Sequence, residues 1–251
     1  MKNKLIITLF FYVFYTFGLS PVNQQLSFHQ NDVIIFCFHD INGSGKYSIT
    51  SEEFDQILEL LSKNFEVYSL KSWYEKAVSK KTFQKTPVVL TFDDGYPSIF
   101  NEVIPKINSR KFGATLFIYL DRYFDQSTIF KQLATVDGDI EIGSHSMTHS
   151  DMKTIYKKNP VDFYKEVYLS RKKLEYLINK PVQSWAWPYG SYTENMVKLA
   201  KDAGYTIQVN TDDKIATLNN DGSQLFLNRY TIQNPNPVEQ VISILNKGLK
   251  K

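Results

Sequence analysis

The sequence predicts a single parallel α/β domain, and three observations carry that prediction. Short apolar runs alternate with stretches of helical periodicity along most of the chain. Some runs, such as Val33–Phe38 and Val88–Leu90, are uninterrupted, as strands buried on both faces require. The 251 residues, 43% of them hydrophobic, suit one domain of α/β-barrel size with a full core and no internal repeat.

Residues 1–27 read as a targeting segment. Lys2 and Lys4 form a basic start, and Leu5 to Leu19 is apolar apart from Thr8, Thr16 and Gly18. That length suits a signal peptide and is short for a spanning helix. Gly18-Leu19-Ser20 offers a small-x-small cleavage site, and Pro21 directly after it keeps an uncleaved membrane anchor open. Either way, residues 28–251 are expected to form the functional domain and to work outside the cytoplasmic membrane, secreted, periplasmic or at the cell surface.

The next strand is expected over Asp32–Phe38, with His39-Asp40 at its end. Thr50 and Glu53 have capping-box spacing, and Phe54, Ile57, Leu58 and Leu61 follow at helical intervals. A short strand over Phe65–Leu70 and a short helix over Ser72–Val78 precede a loop, Thr82–Pro87, into the strand that ends in Thr91-Phe92-Asp93-Asp94-Gly95. Ile99, Phe100, Val103, Ile104 and Ile107 mark a helical face that Pro105 should kink or restart, and Lys111-Phe112-Gly113 reads as its stop. Strands are expected over Ala114–Ile118 and Asp139–Ser144, with an irregular or partly helical stretch between. Asn159-Pro160 is an N-cap with a first-position proline, opening a long helix to about Asn179. Its expected buried stripe is Val161, Tyr164, Val167, Tyr168, Leu174 and Leu177. Ser184–Trp187, Tyr205–Val209 and Phe226–Ile232 read as strands, and Thr193–Ala203 and Pro237–Leu245 as helices.

Composition excludes some functions. The formal charge is +3, and without the first segment 27 basic side chains face 26 acidic ones, so no nucleic-acid partner is expected. The one cysteine, Cys37, permits no internal disulfide and reads as a buried thiol.

Two clusters carry the chemistry. Asp93 and Asp94 are adjacent carboxylates at a strand end, before a glycine that permits a tight turn. His145 and His149 follow another strand end and, at i and i+4, fit one face of a helical turn, close enough to share a metal. Parallel barrels open all strand C-terminal ends on one face, which would bring both clusters together. Two histidines and one carboxylate leave metal positions open for water and substrate.

With these motifs in place, the chain resembles the NodB-homology polysaccharide deacetylases, carbohydrate esterase family 4. The resemblance rests on TFDDG, Ala114-Thr115-Leu116-Phe117, Glu141-Ile142-Gly143-Ser144-His145-Ser146-x-x-His149 and Trp187-Pro188-Tyr189-Gly190, in that order, and spans about Asp32 to Asn246. It implies a distorted (β/α) barrel and a divalent metal, most often zinc, held by Asp94, His145 and His149, with Asp93 as general base. An amide is a poor electrophile, and a divalent cation polarises its carbonyl and acidifies water. The implied partner is an N-acetylated glycan, and the membrane is a further one through the N-terminal segment.

Two departures from the family pattern stand out. Ser184–Tyr189 lacks the arginine that many members use to orient the base. Arg229 is expected to supply that charge, the alternative being a solvated strand arginine. No histidine follows His149, so the usual late general acid is missing and His39 is its expected replacement, unless it only packs or touches substrate. Trp187, Pro188, Tyr189 and Asp40 are the expected substrate contacts, with the caution that half of a strand's side chains face the core. Phe38-His39-Asp40-Ile41 and the arginine-less Trp-Pro-Tyr-Gly motif resemble the poly-β-1,6-N-acetylglucosamine deacetylases, ahead of peptidoglycan and chitooligosaccharide enzymes. The alternatives are an O-acetyl esterase or other amide hydrolase on the same scaffold, and a catalytically weak glycan-binding protein.

Overall fold

Strand alternation sorts the apolar residues into two cores, one inside a barrel and one outside it. The computed structural model describes residues 32–124, 126–218 and 225–248. The expected targeting segment 1–27 and His29 lie outside the described residues. In chain order the strands are β1 (Asp32–Phe38), β2 (Asp40–Ile41), β3 (Ser48–Ile49), β4 (Phe65–Tyr68), β5 (Thr86–Phe92) and β6 (Gly113–Ile118). They continue with β7 (Asp139–Ser144), β8 (Ser184–Ala186), β9 (Ile207–Val209), β10 (Ala216–Thr217), β11 (Leu225–Leu227) and β12 (Tyr230–Thr231).

The main sheet runs β10-β1-β5-β6-β7-β8-β9-β11. Among the described residues every ladder is parallel except β1 with β10. The sequence stretch Phe226–Ile232 is not one strand. Its first half, β11, pairs with β9, and its second half, β12, pairs with β1, with Asn228 and Arg229 between them. This break nearly closes the barrel, because two short consecutive strands cover its two edges in turn. The expected distorted (β/α) barrel is therefore the fold observed.

Inside the barrel lie Val33, Ile35, Val89, Phe117, Ala186, Ile207, Val209 and Leu227. Leu70, Trp73 and Ala77 join this interior core from the helix Leu70–Val78, which starts two residues before the sequence suggests. Its Leu70 N–H donates to Thr115 Oγ1 and its Lys71 N–H to Glu141, so it closes the end where β6 and β7 begin. The opposite end, where the strands finish, stays available for a site. Outside the sheet, Ile34, Phe36, Phe38, Leu90, Phe92, Leu116 and Ile118 pack under the helices, of which Ser51–Asn64 carries the expected Thr50–Glu53 capping box. Each fully buried side chain of this size contributes about 1.5–3 kcal/mol.

Three local readings need correction. The face from Ile99 begins as a π-helical turn, Ile99–Val103, and restarts as an α-helix at Ile104 with Pro105 in its first turn, after which Lys111 rather than a glycine takes the left-handed conformation. The long helix is interrupted by a π-helical stretch, Lys165–Leu169, between Pro160–Tyr164 and Ser170–Ile178. Its buried residues are Phe163, Glu166, Val167, Ser170, Leu174 and Ile178, while Val161 and Tyr164 face solvent. The wider π turn rotates the stripe, which a fixed period of 3.6 residues cannot follow. A helix over Met152–Lys158 and the two-residue strands β2, β3 and β10 are too short to announce themselves by periodicity.

Candidate metal-dependent hydrolytic site

The C-terminal ends of β5, β7 and β1 deliver the two sequence clusters to one rim. Asp93 follows β5, and its N–H donates to Phe38 O at 2.9 Å, which extends the β1–β5 ladder by one residue. Thr91 and Asp93 share a face by alternation and point into the barrel, where both meet Arg229. Asp94 would point the other way in a continuing strand. Instead it adopts φ 69°, and Gly95 φ 67°, so the chain turns and Asp94 joins the rim. Tyr123 Oη holds this turn by donating to Gly95 O.

His145 and His149 do come together, with ring centroids 4.8 Å apart, but not on a helix. Ser146 at φ 79° and His149 at φ 58° fold the segment into an irregular turn. Two contacts fix that turn. Ser146 Oγ accepts from His149 N at 2.8 Å. Glu166 Oε2 accepts from both Met147 N and Thr148 N at 3.0 Å, and its Oε1 accepts from Thr148 Oγ1 at 2.9 Å. Sequence reasoning missed Glu166. A fixed period of 3.6 residues leaves position 166 off the expected stripe, so no pattern marked it. Glu166→Ala strands two amide donors, so stability should fall by about 1–3 kcal/mol and metal affinity by about 10–100-fold. Competition with a chromophoric chelator checks this, and unchanged affinity would show that the turn holds its shape alone.

Asp94 Oδ1 lies 3.0 Å from His149 Nε2 and 3.5 Å from His145 Nε2. These separations fit a common cation, since the edge of a tetrahedron with arms of about 2.1 Å is about 3.4 Å. His145 Nδ1 lies 2.8 Å from Ala186 O, so Nδ1 carries the hydrogen and Nε2 turns a lone pair toward the carboxylate. Despite the short His149 contact, Asp94 Oδ1 is buried with no properly directed hydrogen-bond donor. Acceptors facing acceptors call for a cation, and the two imidazoles with one carboxylate suit zinc. The charges agree. Burial would raise the Asp94 carboxyl, yet the two histidines hold it far below the usual range. Burial would lower His145, yet Asp93 and Asp94 outweigh it and hold its pKa above the ordinary value.

Asp93 is held differently. Arg229, fully buried, grips it with Nη1 to Oδ1 and Nη2 to Oδ2, both at 2.7 Å. The guanidinium is fixed in turn by Thr91 Oγ1 and Asn210 O, both at 2.9 Å, and lies against the Phe117 ring. Gly143 makes room for that ring, because a Cβ there would meet Phe117 carbon at 2.5 Å. Burial would raise Asp93, but chiefly the Arg229 charge, then His145, brings it down to about 2. Arg229 is thus not a solvated strand residue. The break between β11 and β12 turns it inward.

His39 stands at the end of β1, half-buried, with its ring stacked on Tyr47 at 4.8 Å. It lies within 4.8 Å of the Asp93 carboxylate and the Cys37 thiol, and burial lowers its pKa. The Asp40 carboxylate accepts from Ser98 Oγ at 2.7 Å and ties β2 to the segment after Gly95. Trp187 and Pro188 depart from expectation. Both are buried, and Trp187 stacks on Phe163 while its Nε1 donates to Gln208. Trp185 is likewise in the core. Tyr189 alone of that motif is open, 69% exposed at φ 58°, with its ring 4.8 Å from His149. Tyr119, at the end of β6, also has its ring 5.0 Å from His149 and was not singled out from the sequence.

Comparison with known proteins identifies the family and the fold. The family model for polysaccharide deacetylase matches residues 80–208. Over 188 residues the chain is 22% identical to a Bacillus subtilis protein named putative polysaccharide deacetylase YxkH, covering 73% of this chain and 66% of that one. It is 24% identical over 201 residues to poly-β-1,6-N-acetyl-D-glucosamine N-deacetylase of Staphylococcus aureus, covering 74% and 68%. The chain thus spans about two thirds of the length of these relatives. Its fold is similar to that of Streptococcus pyogenes deacetylase PplD solved with acetate, with a TM-score of 0.72, 20% identity and coverage of 88% and 99%.

Proposed function

The chain belongs to the polysaccharide deacetylase family, and on that premise we propose that it is a zinc-dependent N-deacetylase. Its substrate would be an N-acetylglucosamine polysaccharide outside the cytoplasmic membrane, with poly-β-1,6-N-acetylglucosamine favoured. The observation that carries this reading is the division of labour between neighbours. Asp94 faces two histidines across a cation-sized gap, while Asp93 is clamped by Arg229 and kept off that cation set. The location rests on the basic and apolar pattern of residues 1–27, and the polymer on the motif resemblance and the staphylococcal relative.

A zinc ion held by Asp94, His145 and His149 would polarise the acetamide carbonyl and lower the pKa of water. Asp93, ionised and oriented by Arg229, receives the proton of the attacking water. Arg229 keeps the carboxylate from rotating onto the cation and disperses its charge through Thr91 and Asn210. His39 lies close enough to Asp93 to take part in returning a proton to the leaving amine. Tyr189 and Tyr119, both beside His149, offer aromatic faces for a sugar ring.

The test is acetate release from a panel of N-acetylglucosamine polymers and O-acetylated esters, before and after chelation. Release from poly-N-acetylglucosamine that disappears on chelation and returns with Zn2+ is the expected result. Release only from the esters, or none at any metal loading, would sink the assignment. His39→Gln should lower kcat by about 10²-fold with metal content unchanged, the usual worth of a positioned acid or base. A loss of less than about threefold would leave His39 a packing residue stacked on Tyr47.

A further inference from the structure

We propose that Cys37, His39 and Asp93 form a second divalent-metal site, filled by thiophilic metal in excess, which inhibits the enzyme by occupying its base. One donor atom from each of these residues lies within 4.8 Å of the other two. Cys37 Sγ, fully buried, donates to Asp93 Oδ2 at 3.4 Å. For tetrahedral zinc or cobalt with arms of about 2.3 Å to sulfur and about 2.0 Å to oxygen, the sulfur–oxygen edge is about 3.5 Å. The metal therefore fits where the thiol proton now sits, without separating the two residues. His39 supplies the nitrogen, and its Nδ1 is buried with no hydrogen-bond partner.

Two forces set the order of filling. Arg229 holds the same carboxylate at 2.7 Å, and its positive charge opposes a cation there. Burial keeps the Cys37 thiol protonated, so binding exchanges one metal ion for one proton released to solvent, with no redox change. Arg229 spends its hydrogen bonds on Asp93, Thr91 and Asn210, so its opposition is weaker at Asp94, His145 and His149, which fill first. The proposal rests on that first assignment, and activity should consequently rise and then fall as zinc is added.

Co2+ titration of the metal-free full chain tests this. One equivalent should give weak visible bands without thiolate character. Further Co2+ should add an intense near-ultraviolet thiolate-to-cobalt band. Cys37→Ser keeps a donor to Asp93 but removes the sulfur. It should lose the ultraviolet band entirely and move inhibition to at least tenfold higher zinc. Visible bands with no thiolate band at any excess would overturn the second site, as would unchanged inhibition in Cys37→Ser. Absence of the visible bands at one equivalent would instead strike at the Asp94 set, so the two failures are distinguishable.

Discussion

Arg229→Met should lower acetate release by at least ~10²-fold and destabilise the fold by about 3–5 kcal/mol. Methionine fills much of the same volume, so the cost is electrostatic rather than a cavity. Arg229 is fully buried and makes four hydrogen bonds, two of them to Asp93. Removing it leaves a carboxylate in the barrel with its main counter-charge gone. The pH dependence separates this from simple loss of packing. In the wild type Asp93 is held at about 2, below its unfolded value near 3.9. Its contribution, on the order of 2–3 kcal/mol, is present above the unfolded value and lost as pH falls through about 2. In Arg229→Met burial dominates, and the carboxyl rises above its unfolded value. The variant then loses stability as pH climbs from about 4 toward neutrality, while the wild type does not. Urea melts from pH 3 to 7 should show a gap that widens with pH. A constant gap would reduce Arg229 to a packing residue. The activity profile should change as well. A base held at about 2 adds no acid limb in the wild type, whereas the variant should gain one as its carboxyl takes up a proton.

How much of this was legible in the sequence varies with the physics that decides each part. Apolar runs and the Thr50–Glu53 box are local, and they matched β1, β6 to within one residue, and the start of the helix Ser51–Asn64, whereas β5 begins at Thr86, inside the expected loop Thr82–Pro87. The motif order placed Asp93, Asp94, His145 and His149 at strand ends, and they meet at one rim. What failed was whatever depends on backbone departures from a regular period. The π-helical stretch Lys165–Leu169 rotated the buried stripe away from Tyr164 and brought Glu166 inward. The left-handed Ser146 and His149 replaced the expected helical turn. The single strand expected over Phe226–Ile232 broke at Asn228-Arg229, although the expected partner of Asp93 was right: Arg229 grips it across 136 positions. Trp187 was misjudged for another reason. An aromatic beside a catalytic motif looks like a sugar platform, but strand alternation sends it to the outer core, where Phe163 covers it.

Asp93→Asn should abolish most acetate release, by about 10²–10⁴-fold, while one equivalent of metal still binds through Asp94, His145 and His149. The retained metal is the decisive half of this prediction, because the two carboxylates are adjacent and each could otherwise claim the other's role. Asp93 Oδ2 stands 3.9 Å from His145 Nε2, farther than Asp94 Oδ1 stands from either histidine. Asparagine also places an amide NH2 against one Arg229 amino group, two donors facing each other, and leaves that buried charge unpaired. Some loss of stability must follow, so activity should be measured well below the variant's midpoint. Restoring neutrality with Arg229→Met in the Asp93→Asn background should recover part of that stability, since the two residues act as one unit. It should recover no activity. If the double variant regained acetate release, the base would have to be another group at the rim, with His39 the nearest alternative. If Asp93→Asn lost its metal instead, the two aspartates would have exchanged places in the assignment.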